Sequence, residues 1–244
     1  MSTDPAPDRR GWLTRDRALE ILGVAALLGL LALSTYNAVT TDRFPADLSI
    51  TRWLQKLDLG PIRGLLFTMG LRGVAGVTLG LTALWLWFRG HRVEGVMCLL
   101  IVLPDISSFA LRDLFDRPRP DSDLVVVYGG PQGASFPSGT ALHTIFFFGF
   151  VLYLLPRIQL SSPWKRAVAA ACVVYIPVMG LWVVHHGRHW PSDVLGGYVY
   201  GAVYLYLWIK LYQVARAWDE RHPGVLASLT LRRLGSRLRL MKAP

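Results

Sequence analysis

The stretch His185-His186-Gly187-Arg188-His189-Trp190-Pro191-Ser192-Asp193 leads directly into an apolar run that reaches Tyr212. Histidines, an arginine and a carboxylate thus open a segment of about 20 residues, the length that crosses roughly 30 Å of hydrocarbon. Five similar runs precede it, over 18–39, 65–88, 93–115, 139–155 and 167–184. Of the 244 residues, 52% are hydrophobic and 17% charged, against roughly 25% charged residues in soluble proteins. This composition excludes an ordinary soluble globule, a disordered chain and a disulfide scaffold. Cys98 and Cys172 lie inside apolar runs, where cysteine acts as a small packing residue. The reading is an all-α, polytopic membrane helix bundle with six transmembrane helices. It divides the chain into a cytoplasmic N-terminal segment (1–17), the six-helix domain (18–212) and a basic cytoplasmic tail (213–244).

The net charge of +10 reads as topology and anionic lipid headgroups rather than nucleic acid. With six spans, the termini share a side with loops 89–92 and 156–166. Seventeen of the 26 Lys and Arg residues fall there, counting Lys210, against eight on the other side, counting Arg112. The positive-inside rule then predicts cytoplasmic termini in a multi-pass cell-membrane protein. Loops 40–64, 116–138 and 185–190 face the periplasm or exterior. Within 40–64, Ile50, Trp53, Leu54 and Leu57 recur at helical spacing among charges, which predicts a short amphipathic helix in the interface. The tail from Asp219 onward interleaves leucines with six Lys and Arg residues, and reads either as a helix on anionic lipid or as a solvated topogenic tail.

Polar residues inside or at the ends of spans are expensive, so their clustering is informative. Three clusters fall at the same membrane face. The first, Arg112 to Pro120, holds Arg112, Arg117 and Arg119, whose planar guanidinium forks match phosphate oxygens. The second, Ser135-Phe136-Pro137-Ser138-Gly139-Thr140, sets a hydroxyl and a glycine at a helix start, where free N–H groups favour an anion. The third places His189 four residues before Asp193. A carboxylate there can hold the imidazole in one tautomer and leave its other nitrogen free to attack. Together the three describe an oxyanion cradle with a nucleophile. His185 and His189 have a spacing that metals accept, but no third ligand is evident.

This arrangement resembles the type 2 phosphatidic acid phosphatase superfamily, which shares its site with vanadium haloperoxidases. The family pattern is K-x6-R-P, then P-S-G-H, then S-R-x5-H-x3-D. Arg112-x6-Arg119-Pro120 matches the first with Arg for Lys. Pro137-Ser138-Gly139 matches most of the second, and His189-x3-Asp193 the end of the third. The resemblance implies a metal-independent membrane lipid phosphatase, without cofactor, that passes through a phosphohistidine. It makes His189 the nucleophile and Asp193 its orienter, with Arg112, Arg119, Ser138 and the Gly139 N–H binding the phosphoryl oxygens.

Two positions depart from the pattern. Thr140 replaces the general-acid histidine, and Trp182-Val183 replaces the Ser-Arg that supplies a further phosphate-binding arginine. His143, one turn beyond Thr140, and Arg188 and His185, around the nucleophile, are the candidate replacements. A monoester's alkoxide leaving group needs an acid, whereas the phosphate released from a diphosphate does not. A missing acid therefore favours prenyl or other lipid diphosphates. Two other readings stand beside the enzyme: a degenerate member that binds a phosphate-bearing lipid without hydrolysing it, and an accessory membrane protein. Arg72, Glu94 and Asp105 are further charges within spans, and Arg72 with Asp105 is a candidate neutralising pair.

Overall fold

The computed structural model describes residues 9–60, 62–70, 72–223 and 225. The side chains of Arg72 and Asp105 and most of the basic tail lie outside the described residues. The described chain is helical and contains no strand. Helix α1 spans Arg9–Thr40, α2 Asp47–Leu54, α3 Ile62–Met69, α4 Arg72–Phe88, α5 Arg92–Leu99 and α6 Val102–Phe115. After a long loop come α7 (Gly139–His143), a π-helical turn (Thr144–Phe148) and α8 (Gly149–Leu154), then α9 (Ser162–His185) and α10 (Pro191–Arg221).

The bundle is a membrane bundle, but six full-length spans are not what the described residues present. Four helical stretches are long and apolar enough to cross a membrane: Arg15–Thr40, Arg92–Phe115, Ser162–His185 and Pro191–Arg221. A fifth arises if α3 and α4, bent by 63°, count as one. The expected span over 139–155 is the shorter Gly139–Leu154, about 24 Å long at 1.5 Å per residue, and a π turn interrupts it. Pro104 accounts for the break between α5 and α6. A proline has no N–H for the carbonyl four residues earlier and clashes with it, and here that carbonyl belongs to Leu100. Leu100 instead accepts from the Leu103 N–H at 3.1 Å.

Large apolar side chains such as Leu22, Leu33, Leu81, Val174 and Leu207 point outward, as a hydrocarbon solvent requires. Inside, one cluster joins α4, α5, α8 and α10 through Leu86, Met97, Phe146, Phe150 and Tyr212. Two smaller clusters lie under the polar end, one around Met179, Trp182, Val183 and Val194, the other around Phe136, Leu142 and Tyr200. The amphipathic helix α2 buries Asp47, Thr51 and Leu54 and exposes Ile50 and Trp53.

Helix α10 positions the polar end. Pro191 occupies its first turn, where a missing N–H is harmless, and the Asp193 carboxylate accepts the Trp190 N–H at 2.8 Å. Helix α7 then crosses α10 at contact distance. A Cβ at Gly197 would lie 2.5 Å from the Ser138 carbonyl oxygen, so only glycine allows the approach. The Ser138 N–H donates to the Asp193 carbonyl at 3.0 Å, which joins the second polar cluster to the third.

Candidate active site

His189 is buried in the loop between α9 and α10. That loop starts where α9 ends in a left-handed Gly187, φ +63°, whose absent Cβ would sit 2.3 Å from the Val126 carbonyl oxygen. The Arg188 N–H returns to the Val183 carbonyl at 3.0 Å. His189 Nδ1 lies 2.9 Å from the Ser135 carbonyl oxygen. A carbonyl only accepts, so Nδ1 carries the proton and Nε2 the lone pair. Nε2 faces Arg119, with Nη1 at 3.4 Å.

Asp193 stands 3.8 Å from Nδ1 through Oδ2 and makes its shorter bonds elsewhere. Oδ2 accepts from the Ser135 hydroxyl and the Trp190 N–H, and Oδ1 accepts from Arg117 Nη1 at 2.6 Å. The Ser135 N–H donates to the Arg117 carbonyl at 2.7 Å. Asp193 therefore orients the imidazole chiefly by holding Ser135, whose carbonyl takes the Nδ1 proton.

Arg119 donates to the carbonyls of Gly133 (2.9 Å), Ala134 (3.0 Å) and Arg188. These bonds fix its guanidinium beside Nε2. Arg112, buried on α6, lies over the Phe109 ring with its guanidinium carbon 4.4 Å from the centroid, and its Nε donates to the Ser108 carbonyl at 3.2 Å. The same carbon is 3.9 Å from where a Gly139 Cβ would be, so Arg112 meets the start of α7. Ser138 is fully buried and caps that helix, its hydroxyl accepting from the Ala141 N–H at 3.5 Å.

Burial lowers the His189 pKa below the usual 6.5, and the positive charges of Arg119 and Arg112 lower it further against the opposing bond to Asp193. The imidazole is thus neutral, as a nucleophile must be, at neutral pH. His186 is pushed down to about 4, first by burial and then by His185, Arg63 and Arg188.

The structure brings Arg112, Arg119, Ser138, Gly139, His189 and Asp193 together at one end of the bundle. His185 turns its Nε2 to the Leu57 carbonyl at 3.0 Å, towards the α2–α3 loop. His143 stacks on Phe147, with centroids 5.5 Å apart. The Arg188 guanidinium lies 5.8 Å from the centre of the Trp182 ring. Val183, at the position of the family's further arginine, is packed with Leu54, Ala141 and Met179.

Four residues of the site were not singled out by the motifs: Asp47, Arg117, Ser135 and Ser192. Arg117 donates to Asp47 Oδ2 (3.3 Å) and to the Ser192 hydroxyl (2.8 Å) as well as to Asp193. Its place in Arg117-Pro118-Arg119-Pro120, where proline already stops the helix, was the available signal. Asp47 carries no local signal, because its partners in the site, Arg117 and Ser192, lie 70 and 145 residues away.

A buried imidazole whose Nε2 faces Arg119, with Arg112 also acting on it, at one end of a membrane helix bundle is the arrangement expected of a phosphate-handling membrane protein. The sequence model of the PAP2 superfamily matches residues 93–217, and the chain belongs to that superfamily. It is similar to phosphatidylglycerophosphatase B of Bacillus subtilis (strain 168), 28% identical over 124 residues that cover 50% of this chain and 60% of that protein. It is also similar to an undecaprenyl-diphosphatase of Sulfolobus acidocaldarius, 27% identical over 161 residues, covering 63% and 72% respectively. The chain thus matches less than two thirds of the length of the first of these relatives. Among solved structures it is similar to a transmembrane PAP2-type phosphatidylglycerolphosphate phosphatase from Bacillus subtilis. The TM-score is 0.64 at 20% identity, covering 78% of this chain and 95% of that one. At that identity the likeness speaks for the fold.

Proposed function

We propose that the chain is an integral membrane lipid phosphatase that transfers a phosphoryl group from a lipid (di)phosphate to His189 and then to water. The observation that carries this reading is the His189 tautomer. With Nδ1–H on the Ser135 carbonyl, the Nε2 lone pair faces the Arg119 guanidinium, where a phosphoryl group would meet both. Nε2 attacks phosphorus, the bond from phosphorus to the leaving oxygen breaks, and Arg112, Arg119 and the Gly139 N–H neutralise the equatorial oxygens. Water then attacks the phosphohistidine and releases phosphate, returning the electron pair to Nε2. Thr140 offers no acid to an alkoxide. A lipid diphosphate, whose departing lipid phosphate is stable as an anion, is the favoured substrate class. The relatives' names, a phosphatidylglycerophosphatase and an undecaprenyl-diphosphatase, support a lipid.

A groove of about 680 Å³ between α4, α8 and α9 supports the same reading. Phe147, on which His143 stacks, is part of its wall, together with Trp85, Leu154 and Trp164. Its hydroxyls are spent on backbone carbonyls: Thr78 on Val74, Thr82 on Thr78, and Tyr175 on Met69. Such a largely apolar wall accepts hydrocarbon. The proposed orientation keeps the termini cytoplasmic and the site outward, with 18–212 as the membrane domain and the tail 213–244 resting on anionic headgroups.

One observation favours a second reading, a phosphate-lipid binder without turnover. Where the family has an arginine, Val183 is buried among apolar side chains. Phosphate release by purified protein in detergent with EDTA, from a polyprenyl diphosphate and from phosphatidic acid, decides between the two. The phosphatase reading expects release from the diphosphate that disappears in His189→Ala. Saturable binding of the diphosphate with no release selects the binder.

A further inference from the structure

Arg117 is a buried cation held between two buried carboxylates. Its Nη1 lies 2.6 Å from Asp193 Oδ1 and its Nη2 3.3 Å from Asp47 Oδ2, and none of the three side chains is more than 3% exposed. Asp47 adds further bonds. Its Oδ1 accepts the Ser192 N–H at 2.9 Å, and its Oδ2 accepts the Ser192 hydroxyl at 2.6 Å and the Phe44 N–H at 2.7 Å. Arg117 Nε reaches the Thr41 carbonyl at 3.3 Å. The corner between α1 and α2 is thereby tied to the first turn of α10, where Asp193 sits. This corner lies outside residues 93–217, the part of the chain that the superfamily model matches.

We propose that Asp47 is a positioning residue of the active site, which shares Arg117 with Asp193 and so leaves Asp193 a net negative charge to present to Ser135 and His189. The inference rests on the reading of His189 as the nucleophile. Two carboxylates on one guanidinium leave one negative charge over, whereas Arg117 paired with Asp193 alone leaves none. The surplus matters when His189 forms a bond to phosphorus and its ring gains positive charge. In the low-dielectric interior a full charge one residue away acts strongly. Asp47 also fixes where Arg117 points. The Arg117 carbonyl holds the Ser135 N–H, and the Ser135 carbonyl in turn holds His189 Nδ1.

The charged groups facing His189 are Arg112 from α6, Arg119 from the loop after it and Asp193 from α10; Asp47 on α2 acts on it only through Arg117. Removing the Asp47 charge lets Arg117 neutralise Asp193 and leaves the arginines' field on the imidazole less opposed. Its protonation then moves to lower pH.

The test is steady-state hydrolysis of a polyprenyl diphosphate by the full chain in detergent. Wild type, Asp47→Asn, Ser192→Ala and His189→Ala are compared, with thermal midpoints measured in parallel. Asp47→Asn is expected to lower kcat by on the order of 10- to 100-fold with KM within about twofold, and to move the acid limb of kcat/KM to lower pH. Ser192→Ala keeps every charge but removes the hydroxyl between Asp47 and Arg117; a drop of a few fold in kcat is expected. It carries the test if Asp47→Asn does not fold. A folded Asp47→Asn with wild-type kcat and an unmoved acid limb overturns the proposal, as does wild-type kcat in Ser192→Ala when Asp47→Asn is unfolded. Undiminished turnover in His189→Ala is a different failure, that of the nucleophile assignment itself.

Discussion

The Ser135 backbone carbonyl, 2.9 Å from His189 Nδ1, takes the imidazole proton, while the Asp193 carboxylate is 3.8 Å away and binds the Ser135 hydroxyl instead. Orientation of the proposed nucleophile therefore passes through a serine in the loop before α7. Its backbone does one part of the work and its side chain the other.

This division separates two substitutions. Ser135→Ala keeps the carbonyl and loses the hydroxyl donor to a buried carboxylate, which is expected to lower stability by about 1–3 kcal/mol and activity by a few fold. Asp193→Asn disturbs Ser135, Arg117 and the Trp190 N–H together, and activity is expected to fall at least about 100-fold. Thermal midpoints and kcat for the two variants check the ordering.

The acid limb of kcat/KM follows the free enzyme's nucleophile. Because burial and two arginines lower the His189 pKa, the neutral, attacking form persists as pH falls through 6.5 and is lost only below it. A profile of kcat/KM from pH 4 to pH 8, with a diphosphate substrate, is expected to stay flat through the ordinary histidine value. A limb centred above 6.5 would contradict the electrostatics described for the site.

Restoring the two missing family residues is expected to have opposite outcomes. Thr140→His places an acid near the leaving group and is expected to raise hydrolysis of phosphatidic acid by about 10²-fold or more, with little gain on a diphosphate. Val183→Arg puts an uncompensated charge among Leu54, Ala141 and Met179, so it is expected to destabilise the protein by about 4 kcal/mol or more rather than to add activity. Parallel assays on the two substrates, with melting in detergent, check both.

Gly187→Ala tests the loop that carries the nucleophile. Its φ of +63° and the Val126 carbonyl 2.3 Å from the new Cβ oppose any side chain. Backbone strain of about 1–3 kcal/mol is expected, together with a larger loss of kcat than of stability, because Arg188 and His189 follow directly. Melting and turnover measured on one preparation give the comparison.

Most helices of the bundle were legible because they fall in apolar runs of the sequence, four of them long enough to cross a membrane. The breaks were less so. Pro104 sits inside the run 93–115, which reads as one span, and only the geometry of the missing N–H shows why α5 and α6 separate there. The π turn at Thr144–Phe148 has no composition of its own. In the candidate site, Arg112, Arg119, Ser138, Gly139, His189 and Asp193 could be proposed from motif spacing, since the motifs name each by its own side chain or a helix start. The Ser135 carbonyl could not, because every residue of the chain offers the same backbone group. Asp47 could not either. Its role depends on Arg117, 70 residues on, and Ser192, 145 residues on, which only the folded chain brings together.

His189 Nε2 is the atom proposed to take the phosphoryl group. Rapid acid-free quenching of the enzyme with a terminally labelled polyprenyl diphosphate, followed by proteolysis and mapping, tests this most directly. The expected label is stable to alkali, labile to acid, located on the peptide containing His189 and absent in His189→Ala. Turnover without any labelled protein, or a label on another residue, would contradict it.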